Sequence, residues 1–265
     1  MLKYPINTRD NFCSSKQRYG EIPGDYPIYN ILGSTNIISE AQMNNLNIWR
    51  NYIVKFARSH PYEVYINGPT LEKKVSITFD DGPDSVITPK VLNIFKSNNI
   101  KANFFFLGSQ ISYFPNVVKS AFNEGHLILN HSLNHPYFTE IAPQNIKNQV
   151  LRTEEIIKSI IGRKPSIIRP PYGATDEKVL SAVRETNNKI MIWSIDSMDW
   201  VKNITVQNVA ANVLNNVRPG DIILMHSGVG QSTALKALPE IIAGLNKRSY
   251  KIVGLDELLS IDPYK

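Results

Sequence analysis

The sequence predicts an α/β fold built on a parallel sheet, on three observations. Strand-like runs alternate with helical stretches from residue 75 onward, the runs are apolar at nearly every position, and polar clusters follow their ends. In order, "VSITF", "ANFFFL", "LILNH", "SIIRPP", "KIMIWSID", "DIILMH" and "YKIVGL" read as strands, seven in all. Between them "PKVLNIFKSNN", "PNVVKSAFNEG", "IKNQVLRTEEIIKSIIG", "EKVLSAVRETN", "VQNVAANVLNNV" and "LKALPEIIAGLNKR" carry apolar residues at three- and four-residue spacing, as helices packed on a sheet do. Continuously apolar strands suit burial on both faces. Either an open doubly wound sheet or a closed barrel satisfies this alternation.

Residues 1–70 stand outside that rhythm. "GEIPGDYPIYNILGSTN" is rich in Gly, Pro and Asn and reads as loop. In the following "SEAQMNNLNIWRNYIVKFARSH", Ser39 and Gln42 have the spacing of a capping box, and Met43, Leu46, Ile53 and Phe56 make one apolar face. The expected organisation is an N-terminal extension, residues 1–70, packed on a catalytic domain of residues 71–265, as a structural strap rather than a substrate lid. No internal repeat or low-complexity tract is present.

Composition narrows the class. A chain of 265 residues with 42% hydrophobic content can bury one large core. The 29 Lys+Arg against 23 Asp+Glu give net +6, which favours an acidic polymer such as a charged wall matrix, although dispersed solvated lysines account for it equally. There is no long Lys/Arg block and no basic-aromatic interleaving, so no nucleic-acid partner is expected. The single cysteine, Cys13, excludes an intramolecular disulfide. No run is long enough to span a bilayer, and the opening "MLKYPINTRDNFCSSK" lacks the apolar stretch of an export signal. The expected location is therefore outside the cell or at the wall, with a removed signal ahead of this chain, or otherwise the cytoplasm. A monomer is expected.

In a parallel architecture the chemistry gathers at the C-terminal ends of the strands. Strand one ends in "DDGP", where two adjacent carboxylates, Asp80 and Asp81, repel one another and call for a cation. Strand three ends in "NHSLNHP", whose His131 and His135 are spaced to reach one ion from a helical turn or tight loop. Two imidazoles and one carboxylate make a three-ligand site with open positions, which leaves the second aspartate to take a proton from water. Arg169, leading "RPPYG", is expected to hold that free carboxylate through a bidentate contact. His226, in "LMH", suits a general acid, with Asp196 or Asp199 of "DSMDW" as the carboxylate keeping it protonated.

These five clusters, "TFDDGP", "HSLNH", "RPPYG", "DSMDW" and "LMH", occur in the order found in the NodB-like polysaccharide deacetylases, carbohydrate esterase family 4, which the chain resembles from about residue 73 to its end. The resemblance implies a distorted (β/α) barrel with fewer than eight strands, here about seven, and metal-dependent removal of acetyl groups from an N-acetylated glycan polymer. It implies Asp80 as general base, Asp81, His131 and His135 as metal ligands, and Arg169 as the residue that orients the base. It further implies the Tyr172 backbone N–H as oxyanion donor, His226 as general acid supported by Asp199, with a lesser share for Asp196, and Trp200 and Leu224 as walls of the acetyl-methyl pocket. The expected metal is zinc, with cobalt, nickel or manganese also fitting. Peptidoglycan N-acetylglucosamine is the first expected substrate, followed by chitin oligomers and O-acetyl esters of the xylan type. A silent glycan-binding protein is disfavoured, because all three ligands and both acid–base residues are present. Tyr137, Phe138, Tyr172 and Trp200 are candidates for stacking on sugar faces. Ser227 departs from the acidic residue that often follows the fifth-motif histidine.

Overall fold

The computed structural model describes residues 26–265; Cys13 and the opening stretch read for an export signal lie outside the described residues. The helix Glu40–Ser59 (α1) and the strand Val64–Tyr65 (β1) come first. Lys74–Asp80 (β2) is followed by Ile87–Ser97 (α2), and Asn103–Phe106 (β3) by Gly108–Tyr113 (α3) and Pro115–Asn123 (α4). Leu127–Asn130 (β4) leads to Pro143–Ile161 (α5), and Ile167–Ile168 (β5) to Glu177–Arg184 (α6). Lys189–Met191 (β6), Ile195–Asp196 (β7), Val206–Leu214 (α7), Ile222–His226 (β8), Ser232–Lys247 (α8), Lys251–Ile252 (β9) and Leu255–Leu259 (α9) complete the described chain.

Every pairing between these strands is parallel, in the order β1-β6-β5-β4-β3-β2-β8-β7, with β9 paired to the start of β2. The expected distorted barrel is present, with nine strands rather than seven among the described residues. One addition is β1, too short to show a period. The other arises because the run "KIMIWSID" is two strands. Its first part pairs with β1 and β5, its last part with β8, and the residues between bond to both sides: the Ile192 N–H donates to the Tyr65 carbonyl and the Ser194 N–H to the Ile222 carbonyl. A single run thus supplies the second strand at one end of the order and the last strand at the other, and curls the sheet toward closure.

The core follows from the strand composition. Seven residues of β2, KVSITFD, are buried at all but the first position, and the Phe79, Phe95, Phe104 and Phe106 rings pack at centroid distances of 5.1–5.8 Å. Pro115 and Pro143 open α4 and α5, where a missing N–H leaves no hydrogen bond unmade, and Gly162 closes α5 at φ 79, a conformation other residues adopt reluctantly. The capping box of α1 forms as its spacing predicts: Ser39 accepts from the Gln42 N–H, and the Gln42 side chain accepts from the Ser39 N–H. That helix buries Leu46, Ile53 and Phe56 as expected, together with Trp49 and Arg50, while Met43 is half-buried. Before it, Leu32 pairs with Ile195 along the outer edge of β7.

Candidate active site

The polar strand ends converge on one cleft of about 170 Å³, lined by Asp80, Asp81, His131, His135, Tyr172, Trp193, Asp196, Trp200, Leu224 and His226. Parallel pairing alone brings them there. Asp80 ends β2 level with His226 of β8 and Phe105 of β3, and His131 directly follows the end of β4. Past the ends of β2, β4, β5 and β7 the backbone turns sharply: Asp81, Ser132, His135, Tyr172 and Met198 all have φ between 60° and 73°. Such left-handed positions are strained for residues with a Cβ, and they cluster where side chains must be aimed at a site.

Asp81, His131 and His135 form a group whose donor atoms lie within 4.8 Å of one another. His131 Nδ1 sits 2.7 Å from the Arg169 carbonyl oxygen, which only accepts, so this nitrogen carries the proton. In the neutral imidazole, Nε2 then presents a lone pair 3.4 Å from Asp81 Oδ1, and His135 Nε2 lies 3.3 Å from the same oxygen. Asp81 Oδ1 is buried and receives no hydrogen bond. Burial raises the Asp81 carboxyl, but the neighbouring His131, His226 and His135 outweigh it and hold it well below the usual carboxylate range. Burial, with the neighbouring His131 ring, pushes His135 down to about 4, so it is neutral at pH 7 and free to ligate. Lone pairs and a carboxylate directed at one another suit a divalent metal ion, and three protein ligands leave open the positions a catalytic site needs.

Asp80 belongs to a different pair. Its Oδ1 accepts from Arg169 Nη1 at 2.7 Å, and Arg169 is fully buried. The bidentate contact expected from the sequence does not form. Nη1 also donates to Thr78 Oγ1 at 2.8 Å, Nη2 to the Ile192 carbonyl at 2.9 Å and Nε to the Met191 carbonyl at 3.3 Å, while the Phe105 ring lies 4.1 Å from the guanidinium carbon. A buried guanidinium needs its donors satisfied, and with three of its five N–H groups turned to Thr78, Ile192 and Met191, only Nη1 reaches the carboxylate, so the contact is single.

Across the cleft, Asp199 grips His226 twice, accepting from its backbone N–H and contacting Nδ1, each at 2.8 Å. Burial lowers the imidazole, but Asp199, with Asp81 and Asp80 beyond it, pushes His226 up to about 10. Asp196, expected to share this task, pairs instead with Arg50 of α1 at 3.2 Å and accepts from the Trp200 indole N–H at 3.1 Å. Trp200 and Leu224 both face the cleft. The Tyr172 ring stacks on Tyr137 at 3.7 Å and meets the His135 ring edge-on at 4.5 Å. Phe138, by contrast, is fully buried and belongs to the core.

The sequence model of the family described as polysaccharide deacetylase matches residues 67–191. A peptidoglycan-N-acetylglucosamine deacetylase of Bacillus cereus is 40% identical over 205 residues, 77% of this chain and 74% of that protein. The chain belongs to the polysaccharide deacetylase family, carbohydrate esterase family 4. A solved deacetylase structure, the Bc1960 peptidoglycan N-acetylglucosamine deacetylase in complex with 4-naphthalen-1-yl-N-oxidanyl-benzamide, superposes with a TM-score of 0.76 at 38% identity, covering 79% of this chain and 99% of that one. The peptidoglycan-N-acetylglucosamine deacetylase of Listeria monocytogenes is 38% identical over 186 residues, 70% of this chain but only 39% of that longer protein.

Four residues in or around this deacetylase cleft were not singled out by sequence reasoning. Thr78 shares Arg169 with Asp80 and donates its own hydroxyl to the Ile223 carbonyl. Trp193 lines the cleft from the break between β6 and β7. Arg50 arrives from α1. Asp84, the third carboxylate of "DDGPD", turns away from the cleft: its Oδ1 accepts from the Val86, Ile87 and Thr88 N–H groups and caps α2. For Asp84 a signal existed, an Asp three residues before a helical run. For the others, inside apolar runs or on a distant helix, no local signal exists.

Proposed function

We propose that this polysaccharide deacetylase hydrolyses the N-acetyl group of N-acetylglucosamine units in peptidoglycan, releasing acetate and leaving a free amine, and that it works at the cell wall. The observation that carries the reading is the juxtaposition of the Asp81–His131–His135 donor set with the Arg169–Asp80 pair on one side of the cleft and the Asp199–His226 pair on the other. A divalent metal, with zinc first for two imidazoles and a carboxylate and cobalt, nickel or manganese after it, supplies Lewis acidity when bound, polarising the acetyl carbonyl and lowering the pKa of a water to about 7.

The chain's own groups do the rest. Asp80, oriented by Arg169, takes the proton of the attacking water. The Tyr172 backbone N–H, on its left-handed turn, donates to the oxyanion that develops on the carbonyl oxygen. His226, kept protonated by Asp199, gives its proton to the leaving nitrogen as the C–N bond breaks. Leu224 and Trp200 wall the space for the acetyl methyl, and the stacked Tyr137–Tyr172 rings offer an aromatic edge to the sugar.

The test is acetate release from purified peptidoglycan, N-acetylglucosamine oligomers and O-acetylated xylan, after chelator treatment and after zinc is restored. Release from peptidoglycan that stops with chelator and returns with zinc supports the reading. Preference for the oligomers or the ester replaces the substrate, and no release from any of them with metal bound removes the activity.

A further inference from the structure

Helix α1 backs the loops of the cleft, and its Arg50 carries the longest chain of contacts toward it. Arg50 is 5% exposed and projects from α1, outside the region that carries the family motifs. Its Nη1 donates to the Gly33 carbonyl at 2.7 Å, and its Nη2 to Asp196 Oδ2 at 3.2 Å. Gly33 itself lies against β7 so closely that a Cβ there would sit 2.1 Å from the Asp196 carbonyl oxygen, at φ 131. On either side the Leu32 N–H donates to the Ser194 carbonyl and the Asp196 N–H to the Leu32 carbonyl. The guanidinium therefore clips segment 31–34 and β7 together.

Asp196 passes that restraint onward. Its second oxygen, Oδ1, accepts from the Met198 N–H at 2.9 Å and from the Trp200 indole N–H at 3.1 Å. Met198 has φ 62, so the turn between Asp196 and Trp200 is held in a conformation its backbone resists. The same turn carries Asp199, the partner of His226, and Trp200, a wall of the cleft. The neighbour of Arg50 acts on the opposite loop: Trp49 packs where a Cβ on Gly173 would lie 2.6 Å from its ring, directly after Tyr172. Two consecutive residues of α1 thus back two loops of the cleft.

From this chain of contacts we infer that Arg50 is a positioning residue for catalysis: through Asp196 it fixes the Asp196–Trp200 turn, and so sets the size of the acyl pocket and the placement of the His226 partner. The inference deepens the deacetylase reading and rests on it for its kinetic consequence. A strap with a purely structural role would change how much protein folds. A positioning role changes what the folded protein selects.

The experiment uses the whole chain with zinc bound, compares N-acetyl with N-propionyl glucosamine oligomers, and records the ¹⁵N-labelled Trp200 indole signal. In Arg50→Met, kcat/KM for the acetyl substrate is expected to fall about 10- to 100-fold, the scale of a misplacement of roughly 1 Å. One methylene at a fitted apolar wall is worth about 10- to 200-fold in discrimination, and most of the parent's preference for acetyl over propionyl is expected to disappear. The Trp200 indole N–H is expected to shift and to exchange faster with solvent as its acceptor moves. Arg50→Lys keeps a charge beside Asp196 but lacks the fork that also reaches Gly33; it is expected to show the same changes at smaller size, and it serves where Arg50→Met fails to fold. Coupling between Arg50→Met and Trp200→Phe in a double-mutant cycle supports action through the Trp200 contact. A folded Arg50 variant with the parent's acyl selectivity and an unmoved indole signal overturns the inference, whatever its total activity. A parent that releases no acetate from these oligomers or from peptidoglycan defeats the deacetylase reading separately, and the indole signal still decides whether Arg50 holds the turn.

Discussion

Asp80 and Asp81 are neighbours in sequence with separate partners, and two substitutions distinguish them. Asp80→Asn keeps an oxygen for Arg169 but cannot take a proton, so acetate release should fall by at least about 10²-fold, the scale of general-base catalysis, with metal content per chain unchanged. His131→Ala removes a proposed ligand and should lose the metal on dialysis as well as the activity. Parental turnover in Asp80→Asn would show that another group is the base. His226 gives a test by pH. In the proposed mechanism its proton goes to the leaving amine, and Asp199 is the strongest influence holding its pKa high. In Asp199→Asn the alkaline limb of kcat/KM should move to lower pH, toward the ordinary imidazole range. The linkage has the same sign: with a folded value of about 10 against 6.5 unfolded, the native state keeps the proton between those values. This pair's stabilisation is thus complete below pH 6.5 and lost as the pH rises toward 10. An alkaline limb that stays in place in Asp199→Asn removes Asp199 from this role.

Among the elements, those with strong periodicity were legible and those made by neighbours were not. The α1 start could be read from Ser39 and Gln42, because a capping box satisfies backbone donors locally. Ser39→Ala should therefore lower stability by about 1 kcal/mol, read as a shift in urea midpoint with unchanged slope. An unmoved midpoint would mean that the cap contributes nothing to the folded chain. In contrast, α3 has six residues and begins at Gly108, packed so tightly on α5 that a Cβ would lie 2.7 Å from the Thr153 hydroxyl. Nothing in "GSQISY" announces it. The division of "KIMIWSID" was equally hidden, because both halves are apolar and only the change of pairing partner separates them.

For the molecule as a whole, acid stability should be governed by imidazoles sealed in the interior. His126 is 2% exposed between the Phe95 and Phe104 rings, and its Nδ1 accepts from the Ala102 N–H at 3.0 Å. Burial pushes it down to about 4. The unfolded chain binds that proton first, so the stabilisation is complete above pH 6.5 and lost as the pH falls toward 4. The urea midpoint of the parent should drop between pH 7 and pH 4.5, and His126→Phe should flatten the dependence; an unchanged slope in that variant would acquit His126. Among the described residues no helix is long and apolar enough to cross a bilayer.

What the sequence determined by itself was the parallel α/β sheet and the membership of the site, with the barrel following from the family resemblance. Strand–helix alternation imposes parallel strands, and parallel strands deliver their last residues to one rim, so Asp80, Asp81, His131, Arg169 and His226 could be placed together from position alone. Only the tertiary structure decided who pairs with whom. Asp196 and Asp199 stand three residues apart at the same rim, and nothing local says which one serves His226. The left-handed turn at Met198 points them apart, and Arg50, 146 residues away in the chain, claims Asp196. Spacing along a strand fixes where a charge emerges, but the partner of a buried charge is fixed by whichever opposite charge the packing brings within about 3 Å, and that depends on contacts distant in sequence.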